Sequence, residues 1–376
     1  MEKVLVTGGL GFIGSHTVDR LIEEGYRVTV LDNLERQVHL GNVPEYRNKK
    51  AEYIFGDIRY RKHWMKALEG VEYIIHLAGA VGIGQSFWQG KKYMDINVSG
   101  TVALYDILIN NKSTTKDMRK IVVASSKSLY GEGTYKCDEH GEITPMPRDI
   151  DQLRSHQWEI LCPVCGKPTS PVPTREDKPP QNLNPYSLGK YATERMSMFY
   201  SDVLEIPSVA LRYFNVYGPR QSLSNPYTGV VAIFLSRLKN NHKPVLFEDG
   251  KQMRDYIYVK DVADINVRSL TKGSGIYNVG TGKPESLLDV VSVLNRILKT
   301  NIEPEITGDF RPGDNRHDFA DNSRLTSDYG ISKFVDFDDG MRALVSETKS
   351  LEAKDMFEKE EVERKRFLIR SRLQES

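Results

Sequence analysis

The first 125 residues alternate short apolar runs with longer amphipathic stretches. The runs are Lys3–Thr7, Val28–Leu31, Ile54–Phe55, Tyr73–Ala78 and Ile121–Ala124. They are rich in β-branched residues and continuous rather than alternating, which predicts parallel strands covered on both faces. Between the first two, a helical pattern starts at Phe12 and closes at Gly25. Strands interleaved with helices predict an α/β fold with a doubly wound parallel sheet. Farther on, Asn184 is a good N-cap and Pro185 suits the first helical position, so a helix is expected there. After about residue 216, helical and strand patterns alternate, with turn signals at Asp249-Gly250, Gly273 and Gly275. The expected organisation is a nucleotide-binding domain over residues 1–215 and a mainly substrate-binding α/β domain over 216–350. From Leu351 to Ser376 there are seven acidic and seven basic residues and no Gly or Pro, which predicts a charged helical tail.

The turn after the first strand carries Gly8, Gly11 and Gly14, and Asp32 ends the second strand 18 residues after Gly14. Strand, glycine turn, helix, strand and acid form a dinucleotide-binding (Rossmann) unit. Glycines admit a pyrophosphate to the backbone, the helix N-terminus faces it, and the carboxylate holds a ribose diol. The negative charge of Asp32 would repel a 2′-phosphate, so NAD is expected rather than NADP. Asp57 follows the third strand and is either an acceptor for the adenine amine or an ordinary loop acid. His76, inside an apolar run, is expected to be a satisfied strand residue rather than a catalyst.

The Ile121–Ala124 run delivers Ser125 and Ser126 to its C-terminal end, the edge of open α/β sheets where ligands sit. Tyr186 and Lys190 are four apart on the expected helix and share one face. A free Tyr has a pKa near 10, but an ammonium and a nicotinamide cation nearby favour the phenolate. Tyr186 could then take a proton from a hydroxyl while the attached carbon gives up hydride. Gly189 between them costs about 1 kcal/mol relative to Ala in a helix, which suggests a close approach to the backbone there.

Composition narrows the partners. Lys and Arg number 52 against 51 Asp and Glu, a net +1, which argues against a general nucleic-acid binder. The N-terminus lacks a signal-peptide pattern, and Val230–Leu235 is an apolar run of only six residues, so no membrane partner and a cytoplasmic location are expected. Three cysteines are too few, and odd in number, for a disulfide scaffold. With His140 they form two echoing halves, Cys137-x2-His140-Gly141 and Cys162-x2-Cys165-Gly166, separated by 21 residues. Such halves read as paired zinc knuckles, so Cys137, His140, Cys162 and Cys165 are candidate ligands of a structural Zn2+ in an insertion over about 132–180. Four protein ligands close the coordination sphere and leave no position for a reactive water.

TGGLGFIG at 7–14, Ser126 followed by Leu129-Tyr130-Gly131, and YSLGK at 186–190 resemble the extended short-chain dehydrogenase/reductase family. LRYFNVYGPR at 211–220 and RDYIYVKD at 254–261 point to its nucleotide-sugar branch. The resemblance implies an NAD pocket of Gly8, Gly11, Phe12, Ile13, Gly14, Asp32, Asn33, Asp57, Ile58, Leu77 and Ala78, completed by Tyr186 and Lys190. It implies a Ser126–Tyr186–Lys190 triad, with Ser126 positioning the sugar hydroxyl. It also implies a nucleoside-diphosphate-sugar partner held by Asn215, by Phe247 against the base, and by Arg254 and Arg311 on the phosphates. Planar bidentate donors suit a diphosphate, which favours these two arginines on physical grounds. Phe247 has an equally ordinary reading as strand core.

Dehydratases of this family carry an Asp-Glu pair after the active Ser or Thr, and decarboxylases keep a Glu in that turn; here the positions are Lys127 and Ser128. What remains is 4-epimerisation through a 4-keto intermediate, with NAD tightly bound and regenerated each cycle. The knuckles and the text at 31–39, 80–86 and 210–230 resemble the dTDP-L-rhamnose 4-epimerases, making dTDP-L-rhamnose and dTDP-6-deoxy-L-talose the first substrate candidates. UDP-glucose/galactose and UDP-uronates stay open, as does a non-catalytic NAD-sensing regulator using a zinc ribbon. A homodimer is expected from the resemblance alone.

Overall fold

The computed structural model describes residues 1–358 except 40, 226 and 312. Seven parallel strands form the main sheet in the spatial order 275–279, 208–213, 120–126, 73–76, 3–7, 27–32, 52–55. The order reverses between Lys3–Thr7 and Tyr73–His76, so the C-terminal ends of these two strands flank the crevice where doubly wound sheets bind ligands. Val4 and Val6 face one apolar layer and Leu5 the other, which is why Lys3–Thr7 reads as continuously apolar. The last main-sheet strand, Gly275–Val279, comes from beyond residue 216, so the chain leaves this sheet and returns to it.

Asn215–Tyr217, Met253–Tyr258, Pro284–Ser286 and His317–Asp318 make a small mixed sheet. Helices Val230–Lys239, Leu287–Leu298 and Phe337–Glu347 pack with it around a third apolar cluster that includes Phe234, Leu235, Val290, Leu294 and Leu344. The insertion folds as a separate antiparallel sheet with Thr134–Cys137 between Gly141–Ile143 and Ser170–Val172.

The expected helical tail is corrected over 352–356, which run without helix. Ala353 is buried in the third cluster and Asp355 pairs with Arg237 (3.2 Å) and His242 (2.6 Å), contacts that a solvated helix would forgo. The rest of that expected helix, residues 359–376, lies outside the described residues. Among the described residues no helix is long and apolar enough to cross a membrane.

Candidate active site

The glycine turn is closed by backbone contacts. The Gly8 amide donates to the Leu31 carbonyl (2.8 Å), and the Gly8 carbonyl accepts from Gly11 (3.1 Å). A Cβ on Gly14 would lie 2.1 Å from that same carbonyl, so only glycine lets helix Phe12–Glu23 start against the strand. Gly11 caps this helix without any side-chain hydrogen bond, and its first turn has no acidic residue. An N-terminus left open at a sheet edge fits an anionic pyrophosphate. Phe12 and Ile13 begin the helix and pack into the third cluster beneath it. Asp32 accepts from the amides of Leu10 (3.0 Å) and Leu34 (2.9 Å), one on each oxygen, which leaves lone pairs on both for a diol.

Asp57 is differently engaged. Its carboxylate takes the Arg59 guanidinium on both oxygens (2.9 and 2.6 Å) and Asn33 (3.2 Å). Ile58 is buried against Gly100, where a Cβ would meet it at 2.6 Å. Leu77 and Ala78 donate their amides to the carbonyl (3.2 Å) and hydroxyl (3.2 Å) of Thr7, lining the crevice at the reversal point. The imidazole of His76 is satisfied by Thr7 (2.7 Å) and Thr101 (3.2 Å), and burial pushes it down to about 3, so it is neutral.

Ser126 ends strand Lys120–Ser126 at the same edge. Helix Pro185–Leu204 begins with a capping box between Asn184 and Ser187, which fixes the orientation of Tyr186 in its first turn. Tyr186 lies beside Ser126, whose hydroxyl oxygen accepts from the Ser128 amide (3.2 Å) and hydroxyl (2.9 Å). Lys190 donates to the Ala124 carbonyl (3.0 Å), two residues before Ser126. Burial raises the Tyr186 phenol, opposed by the neighbouring Ser126 hydroxyl, and burial lowers Lys190 to about 8. Ser126, Tyr186 and Lys190 are therefore gathered at one strand end, nearly buried.

Asn97 is a neighbour that sequence reasoning missed. It holds the Ala80 backbone by both amide atoms (2.7 and 3.1 Å) and lies 3.3 Å from the Cβ position of Gly189, the close approach expected there. It sits in a π-helical turn over Met94–Ser99, an irregularity with no periodic signal and a common mark of functional sites.

The residues expected at the nucleoside diphosphate all come from beyond residue 214. Asn215 starts the small sheet and donates to the Asp255 carbonyl (3.1 Å). The Arg311 guanidinium lies over the Phe247 ring at 4.2 Å, so Phe247 is not plain strand core. Arg254 spends donors on the carbonyls of Met253 (2.8 Å), Arg316 (3.0 Å) and Asn315 (2.7 Å) and lies 3.8 Å from Asp318. Asp318 also pairs with Lys127, the residue after Ser126.

Far along the insertion, the Cys137, His140, Cys162 and Cys165 ligand atoms all lie within 4.8 Å of one another. Cys137 Sγ is 3.5 Å from His140 Nδ1 and 3.7 Å from Cys165 Sγ, and Cys162 Sγ is 3.6 Å from His140 Nδ1. The sulfur separation is far beyond a disulfide bond length of about 2.05 Å. Gly141 and Gly166 follow the two halves with φ of 71° and 70°, so both knuckles close through the same left-handed turn.

Known proteins agree with this layout. Residues 4–149 and 162–280 match the model of the NAD dependent epimerase/dehydratase family. A dTDP-L-rhamnose 4-epimerase from Burkholderia thailandensis is 34% identical over 337 residues, 88% of this chain and 90% of that protein. A putative UDP-glucose 4-epimerase from Methanocaldococcus jannaschii is 35% identical over 293 residues, 77% of this chain and 81% of that protein. Among solved structures, the UDP-glucose 4-epimerase of Thermotoga maritima with UDP-glucose superimposes with a TM-score of 0.74 at 28% identity, covering 92% of this chain and 98% of that one. The Thermus thermophilus UDP-glucose 4-epimerase complex with NAD gives 0.72 at 28% identity, covering 93% and 99%. With its motifs, its sheet order and this match over more than half its length, the chain belongs to the NAD dependent epimerase/dehydratase family, in the extended short-chain dehydrogenase/reductases.

Proposed function

We propose that the protein is a nucleoside-diphosphate-sugar 4-epimerase that uses tightly bound NAD, with dTDP-L-rhamnose and dTDP-6-deoxy-L-talose as the first substrate pair to test. The observation that carries it is the grouping of Ser126, Tyr186 and Lys190 at the strand end beside the glycine turn. The open helix N-terminus and the free lone pairs of Asp32 fit the pyrophosphate and the ribose of NAD. NAD held there would supply the hydride acceptor and donor for carbon 4 of the sugar, allowing return to the opposite face. Tyr186 Oη takes the proton of the 4-hydroxyl and later gives it back. Ser126, beside Tyr186, orients that hydroxyl. Lys190, lowered to about 8 by burial at the same strand end, and the nicotinamide cation are the positive charges that would favour the phenolate. Lys127 and Ser128 stand where dehydratases of the family carry Asp-Glu, and Lys127 is engaged by Asp318, which favours return of hydride to carbon 4 over dehydration.

Asn215, Phe247, Arg254 and Arg311 hold the nucleoside diphosphate, and Asn33, Asp57 and Ile58 border the adenine. A structural Zn2+ is held by Cys137, His140, Cys162 and Cys165. A zinc tetrahedron with bonds of about 2.3 Å to sulfur and about 2.0 Å to nitrogen has edges of about 3.8 Å and 3.5 Å. Three of the six separations in the cluster, 3.7, 3.5 and 3.6 Å, fit those edges, and all six are within 4.8 Å. Val102 and Ile109, and Leu188, Phe199 and Val203 on the adjoining Tyr186 helix, are exposed apolar residues that a second copy of the chain would cover.

The test is incubation of the purified protein with a panel of dTDP- and UDP-sugars, without added NAD, followed by separation of products. An epimer is expected; a 4-keto-6-deoxy sugar would overturn the assignment.

A further inference from the structure

The insertion does more than lengthen the chain between Ser126 and Tyr186. Glu248, next to Phe247, is buried with a left-handed backbone (φ 54°), a strained setting for a residue other than glycine. Its amide donates to the Asp309 carbonyl (2.7 Å), and its carboxylate is gripped by Arg148 of the insertion through both Nη atoms (2.9 and 2.8 Å). Arg148 also donates to the Asp314 carbonyl (3.0 Å), so one side chain ties together the Phe247 turn and the segment that Arg254 grips. Opposite it, the fully buried Arg316 bonds Glu248 (3.0 Å), Asp249 (2.7 Å) and Glu159 of the insertion (2.6 Å). Glu159 reaches His317 as well (3.1 Å), and Glu132 accepts the amides of Arg316 (2.8 Å) and His317 (3.2 Å).

Buried ion pairs contribute little net stability, because desolvation offsets their attraction; what they fix is geometry. Here they fix two segments that carry no catalytic group but frame Phe247, Arg254 and Arg311. We infer that Arg148 and Glu159 are positioning residues for substrate: from the insertion they hold the Phe247–Asp249 turn and the 314–317 segment in the shape that binds the nucleoside diphosphate. This rests on the reading above that Phe247, Arg254 and Arg311 take the nucleoside diphosphate.

The experiment uses full-length protein with its bound NAD. Affinity for dTDP and UDP is measured by calorimetry, and KM and kcat on the converted sugar, for wild type, Arg148→Met, Arg148→Lys and Glu159→Gln. Arg148→Met is expected to weaken nucleotide binding and raise KM about tenfold, with kcat changed less than about threefold. Arg148→Lys keeps the charge without the fork and should fall between Arg148→Met and wild type. Glu159→Gln, at a half-exposed side chain that the fold tolerates, should weaken binding about threefold, and it decides the matter if Arg148→Met does not fold. Folded variants that bind nucleotide as wild type does would overturn the inference alone. Failure of the wild type to bind either nucleotide would overturn the functional reading and the inference with it.

Discussion

Two clusters of chemistry in this molecule are built in opposite ways. Ser126, Tyr186 and Lys190 sit on a central strand and a 20-residue helix backed by apolar layers on both sheet faces. The thiol and imidazole cluster sits on hairpin ends of the insertion, and among the described residues none of the four apolar clusters draws on residues 132–180. A segment whose buried apolar residues are as few as Tyr135, Leu153 and Ile160 needs further ties to hold its shape. Here those are two ion pairs, Arg148 with the buried Glu248 and Glu159 with the buried Arg316, and, in our account, a metal ion. Apolar packing holds Ser126, Tyr186 and Lys190, while ionic contacts tie the insertion to residues 248 and 316.

The sharpest way to break this contrast is Tyr186→Phe. Turnover should fall by about 10³-fold or more while bound NAD and the melting temperature stay near wild type. Retained turnover would remove Tyr186 as the base.

Lys190→Met tests the other cation. Its charge is buried without a carboxylate, so its pKa falls from 10.5 to about 8, a shift equivalent to about 3 kcal/mol. Between these values the unfolded chain binds the extra proton, so wild-type stability rises with pH in that window. Lys190→Met should therefore lose activity yet unfold at higher denaturant than wild type below pH 8, with the gap closing toward pH 10.5. A constant gap across this range would contradict the buried charge.

Gly14→Ala reverses an ordinary helix rule. Alanine in a helix gains about 1 kcal/mol over glycine, but here its Cβ would strike the Gly8 carbonyl. Loss of more than about 2 kcal/mol and release of NAD are expected, read from denaturant curves and the cofactor content of purified protein. The smallest global effect belongs to the insertion. Cys162→Ser should remove zinc and lower the melting temperature by only about 3 °C, while amide exchange within 132–180 rises more than tenfold. Unchanged zinc content would sink the proposed ligand set.

How far the sequence was legible follows from distance along the chain. Gly8, Gly14 and Asp32, or Tyr186 and Lys190, are fixed relative to one another by local strand and helix geometry, so spacing alone exposes them. The knuckles were legible because each half repeats one turn. Arg148 with Glu248, 100 residues apart, and Lys127 with Asp318, 191 apart, have no period to betray them, since charge pairing across a fold leaves no local pattern. The same applies to Arg254, whose fork meets the carbonyls of Arg316 and Asn315, 62 and 61 residues away. In the tail, the absence of Gly and Pro suggested helix, but burial of Ala353 and pairing of Asp355 overrode local propensity.

The most direct test of the central claim is isotopic. A nucleotide sugar carrying deuterium at carbon 4 is converted by the protein in ordinary water without added cofactor, and the product is analysed by mass and NMR. Hydride that leaves and returns within one site predicts an epimer with deuterium still at carbon 4. Washout of the label into solvent, or its appearance at carbon 6, would contradict the account.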